Sequence, residues 1–256
     1  MRVSLSLSRA AVGVMLSLGA LASHAASAEP IKNIVLVHGF FADGSGWTPV
    51  AKILARNGYK VSVVQEPETS FEDDVAATRR VLDAQDGPAI LVGHSYGGAV
   101  VTEAGNHDKV AGLVYVAAFE PDVGESPASL SKKTPPASHA IKVSSDGYLY
   151  LDPAHFHEDF ASDLPVAEAN LMSVSQVMPN AKNFATPIQQ AAWRTKPSWG
   201  VIATDDRMIN PELERSMTQR AGTRTIELKT SHVPFMSHPA EVAKLIETAA
   251  TESVKQ

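Results

Sequence analysis

Ile90-Leu91-Val92-Gly93-His94-Ser95-Tyr96-Gly97-Gly98-Ala99-Val100 holds one serine between two glycines, behind an apolar run and ahead of a small-residue run. Ile90–Val92 has the continuous apolar composition of a strand buried on both faces. Ala99-Val100-Val101 suits a helix pressed closely against that strand. A strand that turns sharply into a helix presents one side chain free of the sheet, and Gly93 and Gly97 remove bulk where such a turn is crowded. A serine hydroxyl presented this way becomes a nucleophile once a base takes its proton. The helix start behind it also turns backbone N–H groups toward the site. Gly-x-Ser-x-Gly arises by chance in about one chain in ten of this length, so the flanking strand and helix carry the reading. Ser95 is the expected nucleophile.

Working outward, strand-length apolar runs recur at 34–37, 61–64, 89–92, 113–117, 199–203 and 225–228. Helical periods fall between them at 47–56, 75–82, 213–220 and 242–249, with Pro211 and Pro239 placed where helices start. Alternating strand and helix predicts an α/β fold with a mostly parallel central sheet and right-handed crossovers. The alternation breaks between about 119 and 192, where prolines, a short Tyr148-Leu149-Tyr150 run and helical pieces near 153–178 appear. This stretch reads as a mostly helical cap inserted over the C-terminal edge of the sheet, where α/β proteins bind ligands.

The amino terminus differs in kind. Arg2 and Arg9 precede the apolar run Ala10–Ala22, and Ala26-Ser27-Ala28 follows, which together have the three parts of a cleaved signal peptide over residues 1–28. The run is shorter than the roughly 20 residues a membrane span needs, so export to the periplasm or beyond is expected, with no stable membrane anchor. The remaining chain, 29–256, is long enough to bury a core of its own. With no cysteine among 256 residues, disulfides are excluded and that core must supply the stability. Scattered Lys and Arg and a net charge of −6 argue against nucleic acid as a partner.

A serine nucleophile needs an oxyanion site, a base and an acid that orients the base. The amide of Tyr96 is one expected oxyanion donor, and the loop after the first strand, His38-Gly39-Phe40, supplies the second, at Phe40. His38 and His94 are read as structural. The base and acid are expected later, in the order Ser, Asp, His. Thr204-Asp205-Asp206-Arg207 follows one strand and Ser231-His232-Val233 the next, so adjacent strand ends place an acid beside an imidazole. His232 is the expected base, with His238 as rival. His238-Pro239, however, reads as the start of the last helix. Asp206 is preferred as the acid, with Asp205 as the alternative.

With these motifs assembled, the chain resembles α/β-hydrolase fold proteins, more closely the branch holding plant methyl-ester esterases, hydroxynitrile lyases and small bacterial esterases. The resemblance spans residues 31–250. It is carried by Val-Leu-Val-His-Gly at 35–39, Gly-His-Ser-Tyr-Gly-Gly at 93–98, Ala-Ala-Phe-Glu-Pro-Asp at 117–122, Thr-Asp-Asp-Arg at 204–207 and Ser-His-Val at 231–233. It implies that the acid is the residue before Arg207, which is Asp206, and that residues 119–192 cap the substrate pocket. Hydroxynitrile lyases of this branch carry Thr where Gly39 stands and Lys where Val233 stands. Both departures point toward hydrolysis.

The expected activity is hydrolysis of small to medium carboxylic esters through an acyl-enzyme on Ser95. A lyase-like enzyme and a non-catalytic ligand-binding member of the fold are the alternatives. No cofactor or metal is implied, since His155 and His157 lack further ligands nearby in sequence. Phe41, Trp47, Phe119, Phe156, Phe160 and Trp193 are candidates to wall an apolar pocket for a small-molecule ester.

Overall fold

The computed structural model describes residue 1 and residues 29–255. Apart from Met1, the expected signal peptide therefore lies outside the described residues. Six parallel strands form the central sheet: β1 (Asn33–Val37), β2 (Lys60–Val63), β3 (Ala89–Ser95), β4 (Val110–Ala118), β7 (Ser198–Ala203) and β8 (Arg224–Leu228), in the order β2-β1-β3-β4-β7-β8. A separate antiparallel hairpin joins β5 (Ile141–Val143) to β6 (Leu149–Leu151). All six expected strands are present, shifted by a few residues at their ends. β1 and β3 are buried at every position, whereas the edge strands β2 and β8 are partly exposed, as two-sided and one-sided packing require.

Helices cover the two faces. α1 (Thr48–Arg56) packs on α10 (Pro239–Glu252), and α2 (Phe71–Asp83) packs on α3 (Gly97–Ala104). α8 (Pro211–Ala221) packs against β7, and the short α9 (Pro234–Ser237) packs against α10. α2 begins four residues before the apolar period at Val75 because its first turn is polar. The Ser70 hydroxyl accepts the Asp73 amide at 3.0 Å, and Glu72, Asp73 and Asp74 sit where the helix dipole favours negative charge.

Between β4 and β7 the chain adds α4 (Pro127–Lys133), the hairpin, α5 (Pro153–Phe160), α6 (Val166–Ser175), α7 (Ala181–Ala185) and a 3-10 turn at Ala192–Arg194. Tyr148-Leu149-Tyr150, a short strand-like run in the sequence, is one arm of the hairpin. A bridge from Tyr148 to Asn180 ties the hairpin to α7.

The strand order reverses direction between β1 and β3, since β2 lies to one side of β1 and β3 to the other. Crevices outside the carboxyl ends of strands form at such switch points. Phe40 follows β1, Ser95 ends β3, Asp206 follows β7 and His232 follows β8. Four loops from one edge of the sheet therefore converge. Among the described residues no helix is long and apolar enough to cross a membrane.

Candidate active site

Ser95 is the last residue of β3, and its backbone lies in the left-handed region at φ 53°. A non-glycine residue there is strained, and this strain sets its side chain above the sheet. The tightness of the elbow explains its glycines. A Cβ on Gly93 would come within 2.5 Å of the Gly97 carbonyl oxygen, and one on Gly97 within 2.3 Å of the His38 carbonyl oxygen. Gly39 is constrained in the same way, because a Cβ there would lie 2.6 Å from the Ser95 Cβ. The Thr that hydroxynitrile lyases carry here would require the elbow to move.

His232 Nε2 lies 2.8 Å from Ser95 Oγ, and His232 Nδ1 lies 2.6 Å from Asp206 Oδ2. The carboxylate takes the Nδ1–H, so Nε2 presents its lone pair to the serine hydroxyl. Asp206 Oδ1 accepts two further amides, Met208 at 2.7 Å and Ile209 at 3.0 Å. All three side chains are nearly covered, Ser95 at 8% exposure, Asp206 at 4% and His232 at 1%. Asp205 is exposed, so the inward carboxylate is that of Asp206. His238 stands at the N-terminus of α10, with Nδ1 3.1 Å from Ser237 Oγ.

His38 and His94 have structural partners. His94 Nε2–H donates to the His232 carbonyl at 2.8 Å and so fixes the backbone of the imidazole that faces Ser95. Burial, together with the neighbouring His232, holds His94 well below the ordinary imidazole range and thus neutral. His38 Nε2 accepts the Glu66 amide at 3.0 Å, which leaves the ring proton on Nδ1, 3.1 Å from the Gly39 carbonyl. Among the described residues, His38, Glu66 and Glu68 form the one group whose ligating atoms lie within 4.8 Å of each other. The Nδ1 proton occupies the position a metal would need, so this cluster does not fit a cation in its present tautomer.

Neither the Phe40 amide nor the Tyr96 amide has a hydrogen-bond acceptor among the described residues, and both residues line the cavity at Ser95. That cavity has a volume of about 200 Å³, and its other walls include Phe119, Phe184, Leu149 and Met208. The expected aromatic wall is met only in part. Phe41 and Phe119 line the cavity, and the Phe160 ring packs on His232 at 5.1 Å. Trp47 is instead core against Phe235 at 4.5 Å, Phe156 lies buried beneath Phe160, and Trp193 donates to the Pro121 carbonyl. Each is taken by a packing or hydrogen-bonding partner outside the cavity. His157 Nε2 likewise lies 3.1 Å from the Leu164 carbonyl.

Sequence reasoning missed the supports of this site. Asp163, between α5 and α6, accepts both the amide and the hydroxyl of Ser231, immediately before His232. Arg207 reaches back to Asp159 of α5 at 2.7 Å. Behind the elbow, the Tyr96 hydroxyl donates to buried Asp74 at 2.8 Å. Asp74 also accepts the Glu68 amide at 2.8 Å and the Asn183 side chain of α7 at 3.3 Å. These pairs are too distant along the chain for spacing to reveal.

A parallel α/β sheet with a strained serine at one strand end, hydrogen-bonded to a buried imidazole–carboxylate pair, defines a class of proteins built to activate a hydroxyl. The chain belongs to the alpha/beta hydrolase family, whose sequence model matches residues 34–245. Among curated relatives it is similar to a pyrethroid hydrolase of Sphingobium wenxiniae, 28% identical over 246 residues covering 84% of this chain and 86% of that one. It is also similar to methylesterase 8 of Arabidopsis thaliana, 23% identical with 81% and 85% of the two chains covered. The crystal structure of a pyrethroid hydrolase from Sphingobium faniae superposes with a TM-score of 0.77 at 24% identity, over 88% of this chain and all of that one, and so shares the fold.

Proposed function

We propose that the protein is a serine carboxylesterase in which Ser95, His232 and Asp206 act as nucleophile, base and orienting acid. The observation that carries this reading is the unbroken run of hydrogen bonds, 2.8 Å from Ser95 to His232 and 2.6 Å from His232 to Asp206. Ser95 Oγ attacks the ester carbonyl as His232 Nε2 takes its proton, and the amides of Phe40 and Tyr96 receive the developing oxyanion. The tetrahedral adduct collapses, the carbonyl–alkoxy bond breaks, and His232 passes the proton to the leaving alkoxide. Water, activated by the same imidazole, then releases the acid from Ser95.

Names of the relatives, a pyrethroid hydrolase and a plant methylesterase, support ester substrates. The apolar walls of the Ser95 cavity favour a small-molecule ester over a polar or polymeric one. Val233, buried beside the base, offers no charge to a departing cyanide, which favours hydrolysis over the lyase alternative. Residues 1–28 are proposed to direct export.

The test is turnover of p-nitrophenyl acetate and butyrate together with labelling by a fluorophosphonate. We expect stoichiometric labelling of Ser95, and a loss of roughly 10⁶ in kcat for Ser95→Ala. Undiminished turnover in that variant overturns the reading.

A further inference from the structure

The Ser95 cavity is small. Its volume of about 200 Å³ falls below the roughly 300–1,000 Å³ of pockets that enclose a drug-sized molecule. A second, larger hollow of about 540 Å³ lies between the loop after β1, α5, α6 and the segment following His232. Phe41, Phe160, Leu171, Met172, Phe235 and Met236 make it apolar, with Asp43, Lys52 and Glu168 among its polar neighbours. The two hollows share one wall residue, Phe41. Together their volumes lie inside the range for a medium-sized ligand.

Phe41 is unusual in its own right. It is 4% exposed yet its backbone sits at φ 65°, in the left-handed region that a bulky side chain rarely adopts. An aromatic residue held under strain between two cavities is held there by its surroundings, and such strain concentrates at gates and clamps. Its ring meets Phe40 edge-on at 6.0 Å, while Phe40 stacks on Tyr96 at 3.8 Å. The partition is thus continuous with the residues that carry both oxyanion amides.

Position relative to the base decides which half of an ester belongs on which side. The leaving alkoxide must receive its proton from His232 Nε2, so it departs on the imidazole side. Phe160, a wall of the larger hollow, is the ring that lies 5.1 Å from His232. Phe235, another of its walls, lies 4.6 Å from His94, which holds the His232 carbonyl. The hollow also opens onto α6, where Leu171 is 67% exposed and Val174 77%. That surface prolongs the apolar track outward.

We propose that the hollow bounded by Phe160, Met172 and Phe235 is the subsite for a bulky, hydrophobic alcohol moiety, and that Phe41 is the gate controlling its access to Ser95. The acyl half occupies the smaller cavity. This inference rests on the esterase reading above and narrows its substrate class to esters with a compact acid and a large apolar alcohol. Phe41 acts by position, since it supplies no group to the reaction.

Two ester series test the proposal. In one, kcat/KM for 1-naphthylmethyl acetate over that for methyl acetate gives an alcohol-side selectivity ratio. In the other, methyl acetate and methyl 1-naphthylacetate give an acyl-side ratio. Phe41→Ala, which removes a wall common to both cavities, is expected to raise the alcohol-side ratio about tenfold, with a smaller change in the acyl-side ratio. Met172→Trp, which fills the hollow from α6 without touching the gate, is expected to lower the alcohol-side ratio about tenfold. Should Phe41→Ala fail to fold, the Met172 variant decides alone. An alcohol-side ratio unchanged in both variants, or a rise on the acyl side instead, overturns the subsite while small-ester turnover leaves the esterase reading standing. If wild-type protein turns over neither series and Ser95 resists the fluorophosphonate, the esterase reading falls and the subsite with it.

Discussion

Asp206 and Asp74 are two buried aspartates tied to the same elbow, one through His232 to the Ser95 side chain and the other through the Tyr96 hydroxyl. Their neighbourhoods treat burial in opposite ways. Around Asp206 the donors are an imidazole and two backbone amides, so the carboxylate is fully partnered. Asp74 also has three donors, but it shares its pocket with Glu66 and Glu68, whose four carboxyl oxygens have no hydrogen-bond partner. Burial lifts the Asp74 carboxyl to about 6, against the donors that lower it. Burial, and then the charge of Asp74, lifts Glu68 to about 10. Glu66 is raised well above the usual range for the same reasons. A buried carboxyl can be made affordable by donors or by keeping its proton. Asp206 and Asp74 rely on donors, whereas burial pushes Glu66 and Glu68 beside Asp74, and Glu214 beside Asp206, well above the usual carboxyl range. The donors around Asp206 hold its carboxyl group fixed against Nδ1 of His232. Keeping their protons, Glu66 and Glu68 add no charge beside the Asp74 carboxyl that accepts the Tyr96 hydroxyl.

The same isosteric substitution at the two sites separates these roles. Asp206→Asn is expected to lower kcat about 10⁴-fold, because an amide facing Nδ1 favours the wrong tautomer of His232. Circular dichroism and thermal melting should show a folded protein, since the oxygen that accepts the Met208 and Ile209 amides is retained. A variant with kcat within tenfold of wild type would remove Asp206 from the catalytic chain. Asp74→Asn is expected to do the reverse. Its new amide would face the Asn183 and Tyr96 donors, costing about 1–3 kcal/mol of unfolding free energy. Its kcat should stay within about tenfold, because the group proposed to meet the oxyanion is the Tyr96 amide, not its hydroxyl. Denaturant melts and steady-state rates on both variants read the contrast directly.

The Asp206 side was legible in the sequence and the Asp74 side was not. Ser95 ends a strand, Asp206 and His232 each follow one, and strands announce themselves through continuous apolar runs. Their positions at strand ends therefore already bring them together in the sequence pattern. The glycines were legible for the same local reason, since turn and approach are short-range demands. Asp74 was invisible because it sits in the polar first turn of α2, where an acid is explained by the helix dipole alone. Only the approach of Tyr96 and of Asn183, 109 residues away, gives it another meaning. The wall of the Ser95 cavity was half legible. Aromatic residues in a cap announce burial, but which cavity they face depends on the crossing of α5, α6 and the hairpin. Trp47, Phe156 and Trp193 accordingly found partners elsewhere.

Glu68 offers the finest discrimination between the two devices, through the pH dependence of stability. In the unfolded chain its carboxyl loses a proton near 4.5, whereas the folded environment retains that proton to about 10. Between those values the folded state binds the additional proton, so stability is greatest below the lower value and declines as pH rises. Glu68→Gln removes this linkage. Between pH 5 and pH 9 the unfolding free energy of the variant should fall less steeply than that of wild type, by up to about 1.4 kcal/mol per pH unit. The two proteins are thus expected to differ more at pH 8 than at pH 5, with the variant gaining at the alkaline end. Urea melts at four pH values suffice to measure it. Parallel curves would mean that Glu68 ionises as an exposed glutamate does. Glu68 would then carry a second charge beside Asp74, and the contrast between donor-partnered and unpartnered buried carboxyls would disappear.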